Sequence, residues 1–136
     1  MTAAAPIRVL LVDDSTTQRD GYRVLLGSQA DIEVVAQAGD GAQALGIARR
    51  ESIDVILMDV QMPRVNGLVA TDRILNDPQV RAHGASPHIV LLTAVDLEDY
   101  LPSAAIAGAY AILYKDVDPE TLFLVIRDAA EARDDD

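Results

Sequence analysis

Residues 54–59 read Asp-Val-Ile-Leu-Met-Asp. Four consecutive apolar side chains without polar alternation fit a strand covered on both faces, as in the middle of a parallel sheet. We place this strand at Asp54–Met58, with Asp59 at its carboxyl end. Upstream, Ile7–Val12 reads as another buried strand and Ile32–Gln37 as a third. Downstream, Ile89–Leu92 and the short Ala111–Leu113 complete five.

Helical patterns fill the gaps between strands. Thr16–Leu26 is expected to be a helix, capped by Ser15 or Thr16 and ended by Gly27. Gly41–Glu51 carries Ala44, Leu45 and Ala48 on one face. Leu68–Leu75 is limited by Pro78, and Asn76–Pro87 reads as a polar, mobile loop. A less defined fourth helix falls between Glu98 and Ala107. Pro119–Ala132 is the fifth, with its proline in the first turn, where the missing N–H does no harm. Its buried stripe is Leu122, Val125, Ile126 and Ala129, with Leu124 off it. Five strands alternating with five helices imply a doubly wound, flavodoxin-like α/β fold: a five-stranded parallel sheet in the order 2-1-3-4-5. One domain is expected over residues 6–132, with a disordered stretch at 1–5 and a frayed acidic tail at 133–136.

Composition narrows the function classes. The chain has 136 residues, half of them hydrophobic, which is enough for one sizeable core. It lacks cysteine, so thiol catalysis, disulfides and cysteine-based zinc sites are excluded. The net charge is −11, and Lys115 is the single lysine. Without a basic patch, such a domain repels nucleic acid, so direct nucleic-acid binding is not expected. The apolar run at Ile7–Val12 is too short to span a membrane. No basic segment precedes it, so no signal peptide is read and a cytoplasmic location is expected.

The chemistry gathers where the strands end, the edge at which doubly wound sheets bind ligands. The first strand ends in Asp13-Asp14, the third in Asp59, the fourth in Thr93 and the fifth in Lys115. Three close carboxylates repel one another, and a hard divalent cation such as Mg²⁺ relieves that conflict. A carboxylate can also attack phosphorus to give an acyl phosphate. Lys115 could hold the charge of Asp59 and then of the phosphoryl group, while Thr93 could donate its hydroxyl to a phosphoryl oxygen. Each residue also has an ordinary reading. Asp14 and Ser15 could cap the first helix, Asp59 could be a turn residue, and Lys115 could be a solvated charge. Gly39-Asp40-Gly41 lacks the spacing of a dinucleotide fingerprint, because Gly46 comes too late. His83 and His88 have no metal-binding partners in sequence and are expected at the surface.

Val-Asp-Asp-Ser (12–15), Leu-Met-Asp-Val-Gln-Met-Pro (57–63), Asn66-Gly67, Leu-Leu-Thr-Ala (91–94) and Tyr-Lys-Asp (114–116) resemble the receiver domains of two-component response regulators. The likeness spans about residues 6–132 and is similar to the NarL/FixJ-type subgroup. It implies that Asp59 accepts a phosphoryl group from a sensor histidine kinase or a small donor. It also implies that Asp14 binds Mg²⁺ directly, that Asp13 acts through water and that the Gln61 carbonyl completes the protein ligands. Lys115 and Thr93 would contact the phosphoryl group. The fourth helix, fifth strand and fifth helix would form an output and homodimer face. The resemblance further implies weak self-phosphorylation and self-dephosphorylation rather than ordinary enzymatic turnover, and either a stand-alone receiver or the N-terminal part of a transcriptional regulator.

The sequence departs from the family pattern in three places. The aromatic residue usual three positions before the lysine is Ile112 here, with Tyr110 and Tyr114 on either side. Pro102 lies where the fourth helix should run, so that helix is expected to begin near Pro102 or to be loosened before it. Leu124 is expected to be exposed, either as an isolated apolar residue or as part of a contact face. Ile112 and Pro102 motivate an alternative, a protein-binding module that works without phosphate.

Overall fold

A computed structural model describes residues 5–134, and side chains as far as residue 132. The elements are β1 (Ile7–Val12), α1 (Thr16–Gly27), β2 (Ile32–Ala38), α2 (Gly41–Arg50), β3 (Val55–Asp59), α3 (Gly67–Leu75), α4 (Pro78–Arg81), β4 (His88–Thr93), α5 (Leu97–Ala107), β5 (Ala111–Tyr114) and α6 (Pro119–Asp134). The strands form one parallel sheet in the order β2-β1-β3-β4-β5. The expected topology is therefore present.

Strand side chains alternate between two cores. Leu10, Val12, Ile56, Met58, Ile89 and Leu91 face α2, α3, α4 and α5. Val9, Leu11, Val55, Leu57, Val90 and Leu92 face α1 and α6. Every residue of β3 is buried, as its unbroken apolar run required. Burying each of its aliphatic side chains contributes about 1.5–3 kcal/mol. This two-sided packing fixes the register, and a slip by one residue would exchange the two faces.

The structure corrects several expectations. There are six helices among the described residues, not five. The sixth lies inside the expected polar loop, where Asp77-Pro78 starts a helix instead of ending one. The Asp77 carboxylate accepts hydrogen bonds from the N–H groups of Gln79 (3.0 Å) and Val80 (3.1 Å), and Pro78 occupies the first turn. Asp77 is buried and also pairs with Arg49 of α2 at 2.7 Å.

Nor does α5 wait for Pro102. It runs from Leu97 through the proline to Ala107. The ring removes the N–H that would meet the Glu98 carbonyl, but Glu98 and Pro102 are both exposed, so water can solvate the freed group. The last helix continues past Ala132 to Asp134. Residues 1–4 of the expected disordered stretch and 135–136 of the expected tail lie outside the described residues.

His88 is not a plain surface residue. It opens β4 half-buried, stacks on Tyr110 at 5.1 Å, and its Nδ1 meets the Ala129 carbonyl at 2.9 Å. His83 is exposed, as expected. On α6, Leu122, Ile126 and Ala129 are buried and Leu124 is exposed; Phe123 joins the core unexpectedly. No helix among the described residues is long and apolar enough to cross a membrane.

The Asp77–Arg49 pair gives the fold a pH dependence. The hydrogen bond from Arg49 and those from the α4 backbone hold the Asp77 carboxyl below its ordinary pKa. Between the folded and unfolded values the unfolded chain binds more protons, so the contribution is complete above the ordinary carboxylate range. It is lost as pH falls through the lowered folded value. Asp77→Asn should therefore be less stable than wild type at neutral pH, and the gap should close on acidification. Urea titrations at several pH values check this; a gap that widens in acid would contradict it.

Candidate functional site

The carboxyl ends of β1, β3, β4 and β5 bring the expected residues to one edge. Main-chain bonds hold the strand ends together: Asp13 N–H donates to the Ala38 carbonyl (3.1 Å), Val60 N–H to Leu92 (2.8 Å) and Lys115 N–H to Thr93 (2.9 Å). Asp13, Asp59 and Thr93 are buried, and Asp14 is exposed. Each of the three aspartates offers an oxygen within 4.8 Å of the other two. Lys115 Nζ lies 3.1 Å from Asp59 Oδ2 and 3.2 Å from Asp13 Oδ2.

Helix capping and site geometry share residues here. Ser15 is the cap of α1, accepting from Gln18 N–H. Asp13 Oδ1 accepts from Ser15 N–H at 2.9 Å, which fixes one carboxylate oxygen and leaves the other toward Lys115. The capping reading of this segment was thus correct for Ser15, and it coexists with the acidic cluster. Gln18 does not reach back to its own cap. Its side chain accepts from Lys115 Nζ at 2.7 Å. Arg19 donates to the Asp13 carbonyl, and the Tyr22 hydroxyl donates to the Lys115 carbonyl at 3.4 Å.

Asp59 Oδ1 accepts from Gln61 N–H at 3.1 Å. The Gln61 side chain turns to Thr93, with Nε2 at 2.9 Å from its Oγ1 and 3.1 Å from the Tyr100 hydroxyl. Thr93 itself donates to the Val95 carbonyl at 2.6 Å. Gln18, Arg19, Tyr22 and Tyr100 had not been singled out in the sequence. The Ser15-Thr16-Thr17-Gln18 spacing was a signal for Gln18, although it points to a capping box rather than to Lys115. Nothing local pointed to Tyr100.

Burial drives the Asp59 pKa above the ordinary carboxylate value; Lys115 pulls it back, and the Asp13 charge adds to the rise. Burial also opposes charge on Lys115, but Asp59 and Asp13 outweigh it and keep its pKa raised. One ammonium thus faces more carboxylate charge than it neutralises. The donor set, oxygen atoms from two buried and one exposed aspartate, fits a hard cation such as Mg²⁺.

The family model for the response regulator receiver domain matches residues 9–127. The chain belongs to this family. The receiver is 42% identical over 126 residues to the transcriptional regulatory protein YxjL of Bacillus subtilis, covering 91% of this chain and 54% of that protein. It is 40% identical to the nitrate/nitrite response regulator NarP of Escherichia coli, covering 96% and 58%. The receiver thus spans little more than half the length of either relative. Among solved structures it is similar to the signal receiver domain of NarL from Mycobacterium tuberculosis. The TM-score is 0.82 at 27% identity, covering 94% of this chain and 98% of that one. It is similar as well to CheY4 of Vibrio cholerae, with TM-score 0.79 and 30% identity, covering 92% and 99%.

The receiver also needs a glycine beneath its acidic edge. Gly67 begins α3 directly against β3, and its N–H donates to the Val60 carbonyl at 2.9 Å. A Cβ there would stand 2.3 Å from the Asp59 carbonyl oxygen and 3.0 Å from Val60 Cα, both rigid main chain. Gly67→Ala should cost about 1–3 kcal/mol, the usual penalty of overpacking. Denaturant titration measures it; unchanged stability would refute the close approach.

Proposed function

We propose that this receiver is a phosphorylation-dependent switch whose acceptor is Asp59. The observation that carries the reading is the Lys115 ammonium within salt-bridge distance of Asp59 and Asp13, beside Asp14. In the proposed step an Asp59 carboxylate oxygen attacks the donor phosphorus. The new O–P bond forms as the bond to the donor breaks, and the donor leaving group keeps that electron pair, taking a proton from solvent only where it is basic enough, as an imidazole is and a carboxylate is not. With a histidine kinase the leaving group is an imidazole nitrogen; with acetyl phosphate it is acetate. Phosphoryl oxygens then take over Lys115 from the bare carboxylate, and Thr93 turns its hydroxyl toward them.

Asp13, Asp14 and Asp59, with the Gln61 main-chain carbonyl, are the residues we assign to Mg²⁺. The bound ion would neutralise charge on the carboxylates and on the phosphoryl oxygens. The Asp59 environment supports this assignment, because a buried carboxylate with a raised pKa gains most from a neighbouring cation. An open groove lined by Gln18, Gly21, Tyr22, Leu25 and Lys115 supports a sensor histidine kinase approaching the receiver along α1. Water entering the same edge can hydrolyse the acyl phosphate, so the receiver works once per signal with weak self-phosphorylation and self-dephosphorylation rather than as a turnover enzyme.

The output face we assign is α5, β5 and α6. Leu101, Ile106, Tyr110, Tyr114 and Leu124 are exposed along it, which suits a homodimer contact. The relatives' names and the fraction of their length matched support a place within a longer transcriptional regulator, which we read as cytoplasmic with this receiver at its N-terminal end. Ile112 in place of an aromatic residue favours a second reading, a module that signals without phosphate.

Incubation with Mg²⁺ and acetyl phosphate, followed by intact-mass analysis, should show one added phosphoryl group. Asp59→Asn should abolish it, and EDTA should slow loading by about tenfold or more, as expected when a metal supplies charge stabilisation. Failure of the wild type to load from either acetyl phosphate or a phosphorylated kinase would rule out the proposal. Normal loading with no change in backbone NMR shifts or oligomeric state would favour the second reading.

A further inference from the structure

The hydrogen inventory around Thr93 points to a restraint that the phospho-acceptor reading does not include. A threonine hydroxyl has one proton, and the Val95 carbonyl at 2.6 Å is a nearer acceptor for it than the Gln61 side-chain oxygen at 3.3 Å. A glutamine amide has two N–H donors. Those of Gln61 serve the Thr93 hydroxyl at 2.9 Å and the Tyr100 hydroxyl at 3.1 Å. Thr93 cannot donate to a phosphoryl oxygen on Asp59 until it releases Val95. If the hydroxyl moves away with that change, the Gln61 amide loses one of its two acceptors. Tyr100 is the other, and it stands on α5.

The segment between these residues is weakly held. Asp96 adopts a left-handed conformation, with φ 59° and ψ 32°. Aspartate tolerates that region better than most residues, but it is still uncommon there. The Asp96 side chain makes no capping bond to α5, so the start of the helix lacks the restraint that Ser15, Asp40 and Asn66 give to α1, α2 and α3. Val95 is 54% exposed. The polar bonds of Thr93, Gln61 and Tyr100 therefore carry much of what fixes the β4–α5 loop. The Tyr100 ring is half-buried and packs on the same core as Ile112, so α5 and β5 both feel its position.

We propose that Gln61 and Tyr100 are positioning residues that hold the Thr93 hydroxyl away from the phosphoryl site at rest, and that its release frees α5. This rests on the phospho-acceptor reading of Asp59. The latch supplies a route from Thr93 to α5 that needs no aromatic residue at position 112. Tyr100 contributes its hydroxyl to the rest state, and Gln61 links it to the loop that follows Asp59. No proton is transferred; three hydrogen bonds are exchanged for others.

Tyr100→Phe keeps the ring and removes the hydroxyl alone. Beryllofluoride with Mg²⁺ serves as the phosphoryl mimic, read by backbone amide shifts across the receiver. The variant should bind the mimic about two- to ten-fold more tightly than wild type, the value of one released hydrogen bond. The shift response of Leu97–Ala107 should fall by half or more, while amides beside Asp13 respond as in wild type. Gln61→Leu should reduce the α5 response in the same way, and the double variant should reduce it no further. A purely structural role would lower the melting temperature without this selective loss. Wild-type affinity together with a full α5 response in Tyr100→Phe overturns the latch alone. A wild type that neither binds the mimic nor loads phosphate overturns the Asp59 reading, and the latch with it.

Discussion

The structure depends on a concentration of negative charge that hydrophobic packing makes unavoidable. β1 and β3 are adjacent and parallel, and both are buried toward their carboxyl ends, so the aspartates that follow their apolar runs must arrive side by side. Lys115 relieves only part of the repulsion, although its ammonium is close to both buried carboxylates. The remaining charge makes the edge receptive to a cation. The same shortage of positive charge ties Asp13, Asp14, Asp59 and Lys115 into one system, in which altering any member changes the charge balance of the others.

Around this edge, capping and site-building are the same local chemistry. Asp13 holds Ser15 N–H, Ser15 caps α1, and Gln18, released from capping work, reaches Lys115. On the next strand Asp59 holds Gln61 N–H, and the Gln61 side chain reaches Thr93. In each case a carboxylate fixes a backbone N–H two residues on, and a nearby side chain extends to the end of another strand. The site is thereby cross-linked between loops by polar contacts, while the sheet below is held by aliphatic packing. Rearrangement of the loops need not disturb the core.

Periodicity revealed the sheet because β3 is continuously apolar and the flanking strands are nearly so. The order of strands followed from right-handed crossovers, and the acidic edge followed from where each strand stops. What stayed hidden was tertiary. Pro78 reads as a stop until the Asp77 carboxylate is seen capping a new turn and pairing with Arg49. Pro102 reads as a helix start until the exposure of Glu98 is known, because only a buried carbonyl would suffer from the missing donor. Tyr100 was invisible for a different reason: its partner Gln61 lies on another loop, and no spacing along the chain encodes that meeting. His88 was misjudged because burial at a strand start depends on α6 and Tyr110 closing over it.

The claim beneath all of this is that the acidic edge is a localised cation site. Titration with Mn²⁺, a paramagnetic substitute for Mg²⁺, tests it through distance-dependent broadening of backbone amide signals. Broadening at low Mn²⁺ should centre on the residues around Asp13, Asp14 and Asp59 and disappear on adding excess Mg²⁺. Diffuse broadening over the many other acidic side chains, with no preference for this edge, would contradict the account.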